Sequence, residues 1–241
     1  MSISDRDPMT IKHEIKSQLA KLLATEDLVV EHKRVETAQF NVQSRVLTLP
    51  VWENTTDDVI DMLVSHEVGH ALYTPDREWW KDYQMNPSIV NIVEDARIEK
   101  LMKRRYEGIA KTFYRGYTEL QKKDFFQVKQ KDISEMNLLD RINLQFKIGT
   151  HYNIPFSTDE MFYVNKVSLC ETFDEVLKVS KQIFDYILGE LKKKEEEKEM
   201  ETENASFGSG TGADLEDVRD NWYDEDGDLI DEDGEDAVSY T

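Results

Sequence analysis

A lone cysteine, Cys170, has nothing in the chain to pair with, so no internal disulfide holds this fold and a reducing compartment suits it. Cys170 itself reads most simply as a core residue. No run approaches the roughly 18 consecutive apolar residues that a membrane-spanning helix needs, and residues 1–8 lack the apolar stretch of a signal peptide. Basic charge is also scarce, with 30 Lys and Arg against 50 Asp and Glu. That balance argues against nucleic acid, whose phosphates call for a basic face. The expectation is a soluble, cytoplasmic protein with neither a membrane nor a nucleic-acid partner.

The acid excess is uneven. From Lys192 to Thr241 there are 19 acidic and 5 basic side chains, and few branched aliphatics to build a core. One domain over residues 1–191 followed by a disordered acidic linker or tail over 192–241 is therefore expected. Ser206 to Gly212 reads as a flexible linker. The acidic repeat Asp224 to Asp236 hints at calcium, but Gly227 falls at loop position four where an EF-hand needs position six.

Periodicity organises the rest. Ile11, Ile15, Leu19, Leu22 and Leu23 recur at helical spacing. Between Leu28 and Leu49 the pattern changes to short β-branched runs closed by Pro50, which predicts two or three antiparallel strands. The strand near Phe40 to Leu49 is a candidate for pairing with an extended substrate. Asn54 to Asp58 offers N-cap residues and first-turn carboxylates ahead of a helix through residue 70, and Asn86-Pro87-Ser88 opens another to about Arg105. Further helices are predicted over 109–120, 134–146 and 173–191, with a loop at 149–155. The fold class predicted is α+β, mainly helical, with a small N-terminal antiparallel sheet near the helix that carries the motif below.

That motif is His66-Glu67-Val68-Gly69-His70. Residues four apart on a helix lie one turn above each other, so both imidazoles face one point where a divalent metal can sit. Glu67, beside them, has the position of a general base acting on metal-activated water. A zinc ion on two histidines needs a third protein ligand. Glu94 is the candidate because it interrupts the apolar stripe of Val90, Ile98 and Leu101. Its alternative is a surface glutamate paired with Arg97. Gly69 suggests that another helix approaches the motif closely.

His66 to Leu72 followed by Asn91 to Glu99 resembles the zincin-type, gluzincin-like metallopeptidase segment of CobT-like and von Willebrand-A-associated proteins, including versions in tailed bacteriophages. The similarity covers about residues 47–99. It implies a zincin-like fold, Zn2+ on His66, His70 and Glu94, Glu67 as catalytic base, and a protein or peptide substrate. It also implies a MoxR or CobS-type AAA+ ATPase partner, in proteins where an acidic linker like the one here leads to a von Willebrand A domain, and a host-cytoplasmic or virion setting if phage-encoded. The related thermolysin-like pattern places an aspartate four residues after the ligand glutamate, where this chain has Ile98. Asp95 is then the nearest group to orient a ligand histidine, and Arg97 either pairs with Asp95 or holds substrate. An oxyanion donor is also required, with His151 and Tyr152 as candidates; His13 and His32 read as structural. The leading expectation is a zinc peptidase or amidase, and the second is a non-hydrolytic, metal-containing assembly module.

Overall fold

A computed structural model describes residues 8–52 and 55–205. In chain order the elements are α1 (Pro8–Ala24), β1 (Val29–Lys33), β2 (Gln39–Asn41), β3 (Val46–Pro50), α2 (Asp57–Tyr73), α3 (Pro87–Arg105), α4 (Ile109–Lys122), α5 (Leu138–Ile148), α6 (Thr158–Leu169) and α7 (Phe173–Ala205). The described residues are mainly helical with one small sheet, as the periodicity implied. No helix among the described residues is long and apolar enough to cross a membrane.

The sheet is mixed rather than antiparallel. β3 lies in the middle, antiparallel to β2 and parallel to β1. A tight turn explains the hairpin: Arg45 takes a positive φ, its N–H returns to Asn41 O, and the Asn41 side chain accepts from Ser44 N. β1 then docks on the open edge of β3, with Val30 opposite Leu47 and His32 opposite Leu49. Alternation of buried and exposed residues is the same for either strand direction, so hydrophobic pattern cannot distinguish them. With both edges of β3 taken, substrate pairing along that strand is excluded; only the short β2 remains as an edge on that side.

Capping fixes where the central helices start. The Thr56 hydroxyl accepts from Val59 N at the start of α2, and Asn86 accepts from Ser88 N with Pro87 in the first turn of α3. Leu47 and Leu49 of β3 share an apolar cluster with Val64 and Val68 of α2 and Phe113 of α4. A second cluster joins Val90 and Val93 of α3 to Ile142 of α5, Val167 of α6 and Leu177 and Ile183 of α7. α2 and α3 lie where the two clusters meet. α2 is therefore buried almost all round from Met62 to Ala71, which is unusual for a helical stretch carrying three ionisable groups.

Two elements differ from expectation. α6 was not foreseen, although Ser157 and Glu160 form a reciprocal capping box at its start. α7 continues past residue 191 to Ala205, and the Ser206 to Gly212 linker and the acidic repeat lie outside the described residues.

Glycine sets how closely the helices approach. A Cβ built on Gly69 would lie 3.0 Å from Ile98 Cδ1 and 3.2 Å from Met102 Cγ, so α3 packs directly on the motif helix. On Gly116 it would lie 2.5 Å from Met62 Cβ and 3.0 Å from the Asp58 carbonyl oxygen. Gly116→Val is accordingly expected to destabilise the protein by about 1–3 kcal/mol through overpacking. A melting temperature equal to wild type would show that α2 and α4 can move apart freely.

Candidate metal centre

Four helices build the site. α2 brings His66, Glu67 and His70, α3 brings Glu94, Asp95, Arg97 and Glu99, α4 brings Tyr117, and α5 brings Lys147. Every one of these except Lys147 is buried, with His70 and Glu94 at zero exposure.

The carboxylate that meets the histidine pair is Asp95. Its Oδ1 lies 3.4 Å from His66 Nε2 and 3.3 Å from His70 Nε2. Single ligand atoms from His66, His70 and Asp95 all lie within 4.8 Å of one another, the group among the described residues able to hold a metal ion. Tetrahedral zinc with bonds of about 2.0–2.1 Å separates its ligand atoms by roughly 3.3–3.4 Å. The two spacings around Asp95 match that edge.

Tautomers follow from the outer partners. Glu99 sits below the ordinary carboxylate range, so it can only accept, and His66 Nδ1–H donates to Glu99 Oε1 at 3.1 Å. The Thr74 hydroxyl gives its proton to Glu94 Oε1 at 2.6 Å, so at 2.9 Å it accepts from His70 Nδ1–H. Each ring, when neutral, thus turns the Nε2 lone pair towards Asp95. Lone pairs held this close to a carboxylate oxygen need a cation between them, either a proton or a metal. Asp95 Oδ1 and Glu67 Oε2 are moreover buried with no hydrogen-bond partner, as expected where coordination or water would complete the site.

The electrostatics agree. Burial alone would lower the His66 pKa, but Asp95 and Glu99 outweigh it and push it up to about 10. The field that favours a proton there also favours a divalent cation. Burial would raise Asp95, yet Lys147 and His66 hold it well below the carboxylate range, and Lys147 Nζ is 3.0 Å from Asp95 Oδ2. Glu99, likewise opposed by burial, is brought to about 2 by Lys103 and His66. Glu67 goes the other way: burial raises its pKa, and the nearby His66 and His70 offset this only in part.

Glu94 occupies a different place from the one expected. Its two oxygens are clamped by Arg97, with Nε to Oε2 at 2.7 Å and Nη2 to Oε1 at 2.6 Å. This is the Arg97 pairing held open in the sequence, except that it is buried rather than at the surface. Arg97 also donates to the Tyr73 and Glu171 carbonyls, which leaves it committed to holding helix ends together and away from Asp95. The Asp95 oxygen lies beside both histidine Nε2 atoms, and the carboxylate in contact with His66 Nδ1 is Glu99. The spacing of four expected from Glu94 to residue 98 therefore runs from Asp95 to Glu99, one residue later.

His151 and Tyr152 sit against α4. His151 Nε2 donates to the Thr118 hydroxyl at 3.1 Å and its ring packs on Tyr114, while Tyr152 accepts from Gln121 Nε2 at 2.7 Å. The polar groups that do arrive from other helices are Tyr117, whose hydroxyl donates to Glu99, and Lys147. Sequence reasoning missed both, and also Thr74. Only Thr74 had a local signal, since Pro75 follows it and biases it to extended backbone that stops α2.

Comparison of the chain with protein-family models, with curated proteins and with solved structures gave no match.

Glu99 receives hydrogen bonds from His66, Tyr117 and Lys103. Glu99→Ala would strand all three, and a loss of about 3–5 kcal/mol in urea unfolding is expected. An unchanged midpoint would mean that this buried network contributes nothing to stability.

Proposed function

We propose that this chain is a metal-dependent hydrolase, a zinc peptidase or amidase, with His66, His70 and Asp95 as protein ligands and Glu67 as general base. The observation that carries the reading is the convergence of His66 Nε2, His70 Nε2 and Asp95 Oδ1 in a buried group. Two imidazoles and one carboxylate suit zinc with a position left open for chemistry. When bound, zinc would polarise a substrate carbonyl and make water more acidic.

The chain's own residues supply the rest. Glu99 fixes the ring of His66 through Nδ1, and Lys147 on Oδ2 leaves Asp95 Oδ1 facing the histidines. Glu67 is in the electrostatic field of both histidines without hydrogen-bonding to either, and its pKa is raised. A carboxylate with that shift takes a proton from attacking water more readily than Asp95 or Glu99 would. A peptide carbonyl as target, and the zincin-type and AAA+-linked setting, rest on the resemblance of residues 66–72 and 91–99.

One observation favours a second reading, a non-hydrolytic metal-containing module that docks on an AAA+ ATPase or another assembly. His66, Glu67, His70 and Asp95 are each at most 6 % exposed, as in a closed structural metal site.

Two variants test these readings. The purified protein is expected to carry about one zinc, and Asp95→Ala to lose it. Elemental analysis showing no metal on wild type, or full metal on Asp95→Ala, overturns the ligand set. Glu67→Gln is expected to keep its zinc while losing about 10²–10⁴-fold in hydrolysis of an unfolded protein or peptide library. Equal rates from both proteins would remove Glu67 from the mechanism, and no hydrolysis by either would favour the assembly module.

A further inference from the structure

The Glu94 carboxylate is fully buried one residue away from the metal group, yet it spends both oxygens elsewhere. Its third hydrogen bond comes from the Thr74 hydroxyl, which in turn meets His70 Nδ1. We infer that Thr74 is a positioning residue for the metal site, relaying Glu94 to His70 so that Nδ1 keeps its proton and Nε2 is presented to the ion. The inference rests on the metal-site reading above and assigns it a residue outside the ligand set.

The geometry of the relay starts in the sequence. Pro75 disfavours helical backbone at Thr74, which adopts φ -86 and ψ 117 and ends α2 at Tyr73. Stopping there places Thr74 one turn beyond His70. Its backbone N–H donates to the His70 carbonyl at 2.9 Å, and its hydroxyl accepts from the ring of the same residue at 2.9 Å. Thr74 is thus held to His70 by main chain and side chain together.

The direction of the proton is also determined. A hydroxyl has one proton to give. Glu94 Oε1 takes it at 2.6 Å while Arg97 Nη2 donates to the same oxygen at 2.6 Å and Nε to the other at 2.7 Å. With its proton committed to an anion, the Thr74 oxygen can only accept from Nδ1–H. Reversing the relay would leave Nδ1 without its proton and Nε2 protonated, which blocks that nitrogen as a ligand. The other histidine is served directly, by Glu99. Each ring therefore has its own carboxylate, one in contact and one through a hydroxyl.

The test reads zinc affinity by competition with a chromophoric chelator, in the full chain, alongside the melting temperature of each metal-free protein. Thr74→Val keeps the shape and removes the hydroxyl; it should fold, because Arg97 still satisfies both oxygens of Glu94. Its zinc affinity is expected to fall about 10–100-fold. Thr74→Ser restores the hydroxyl and is expected to bind within about threefold of wild type. Thr74→Ala serves as the second hydroxyl-free variant should the valine crowd its neighbours. Wild-type affinity in either hydroxyl-free variant overturns the relay, and so does a serine variant as weak as they are. Failure of wild type to bind zinc at all overturns the metal-site reading itself, a result distinct from wild-type binding that Thr74 does not influence.

Discussion

Negative charge buried between α2 and α3 is the constraint on which the rest of the structure depends. Glu67, Glu94, Asp95 and Glu99 are all nearly inaccessible to water, and an ion taken out of water costs several kcal/mol unless partners offset it. Each solution recruits a different part of the fold. Arg97 clamps Glu94 from the same helix, Lys103 and Tyr117 meet Glu99, and Lys147 reaches Asp95 from α5. Satisfying these carboxylates thereby fixes α4 and α5 against the central pair, in addition to what the apolar clusters do on either side.

Close helix packing makes that arrangement specific. Ile98 and Met102 fill the space above Gly69, which brings α3 near enough for Asp95 to reach both histidines of the helix beneath. A larger residue at 69 would add helix propensity of about 1 kcal/mol but would press against atoms 3.0–3.3 Å away. The poor helix former in the middle of the motif is therefore explained by the close approach of α3.

Much of this was legible in the chain. The spacing of His66 and His70 and the cap-and-proline start of α3 follow from local rules, and the described residues carry these elements. The sheet was less so, because alternation in Val46–Pro50 is indifferent to whether β1 runs parallel or antiparallel beside it. The carboxylate nearest the two histidines is Asp95, one position after the Glu94 that the sequence suggested, for a related reason. α3 is buried from Val93 through Glu99, so an apolar stripe does not single out one face, and Glu94 and Asp95 cannot be separated by burial alone. Lys147 lies more than fifty residues beyond Asp95 with no motif around it, and only the packing of α5 on α3 brings it to the site. α6 did have a signal, the Ser157-to-Glu160 spacing, in a segment otherwise read for its proline.

Among the four buried carboxylates, the difference that bears on chemistry lies in their partners. Glu94, Asp95 and Glu99 each have a dedicated cation at 3.0 Å or less, and for Asp95 and Glu99 the pKa is held down. Among the described residues Glu67 has no such cation, one of its oxygens lacks a hydrogen-bond partner, and its pKa is raised. Groups locked by permanent partners make good supports and poor proton acceptors, since accepting a proton would break the pair that holds them. In the proposed hydrolase Glu67 can change its protonation state without dismantling the scaffold. The same fold that spends three carboxylates on holding its helices together keeps the fourth available, and it is the one adjacent to both histidines on their own helix.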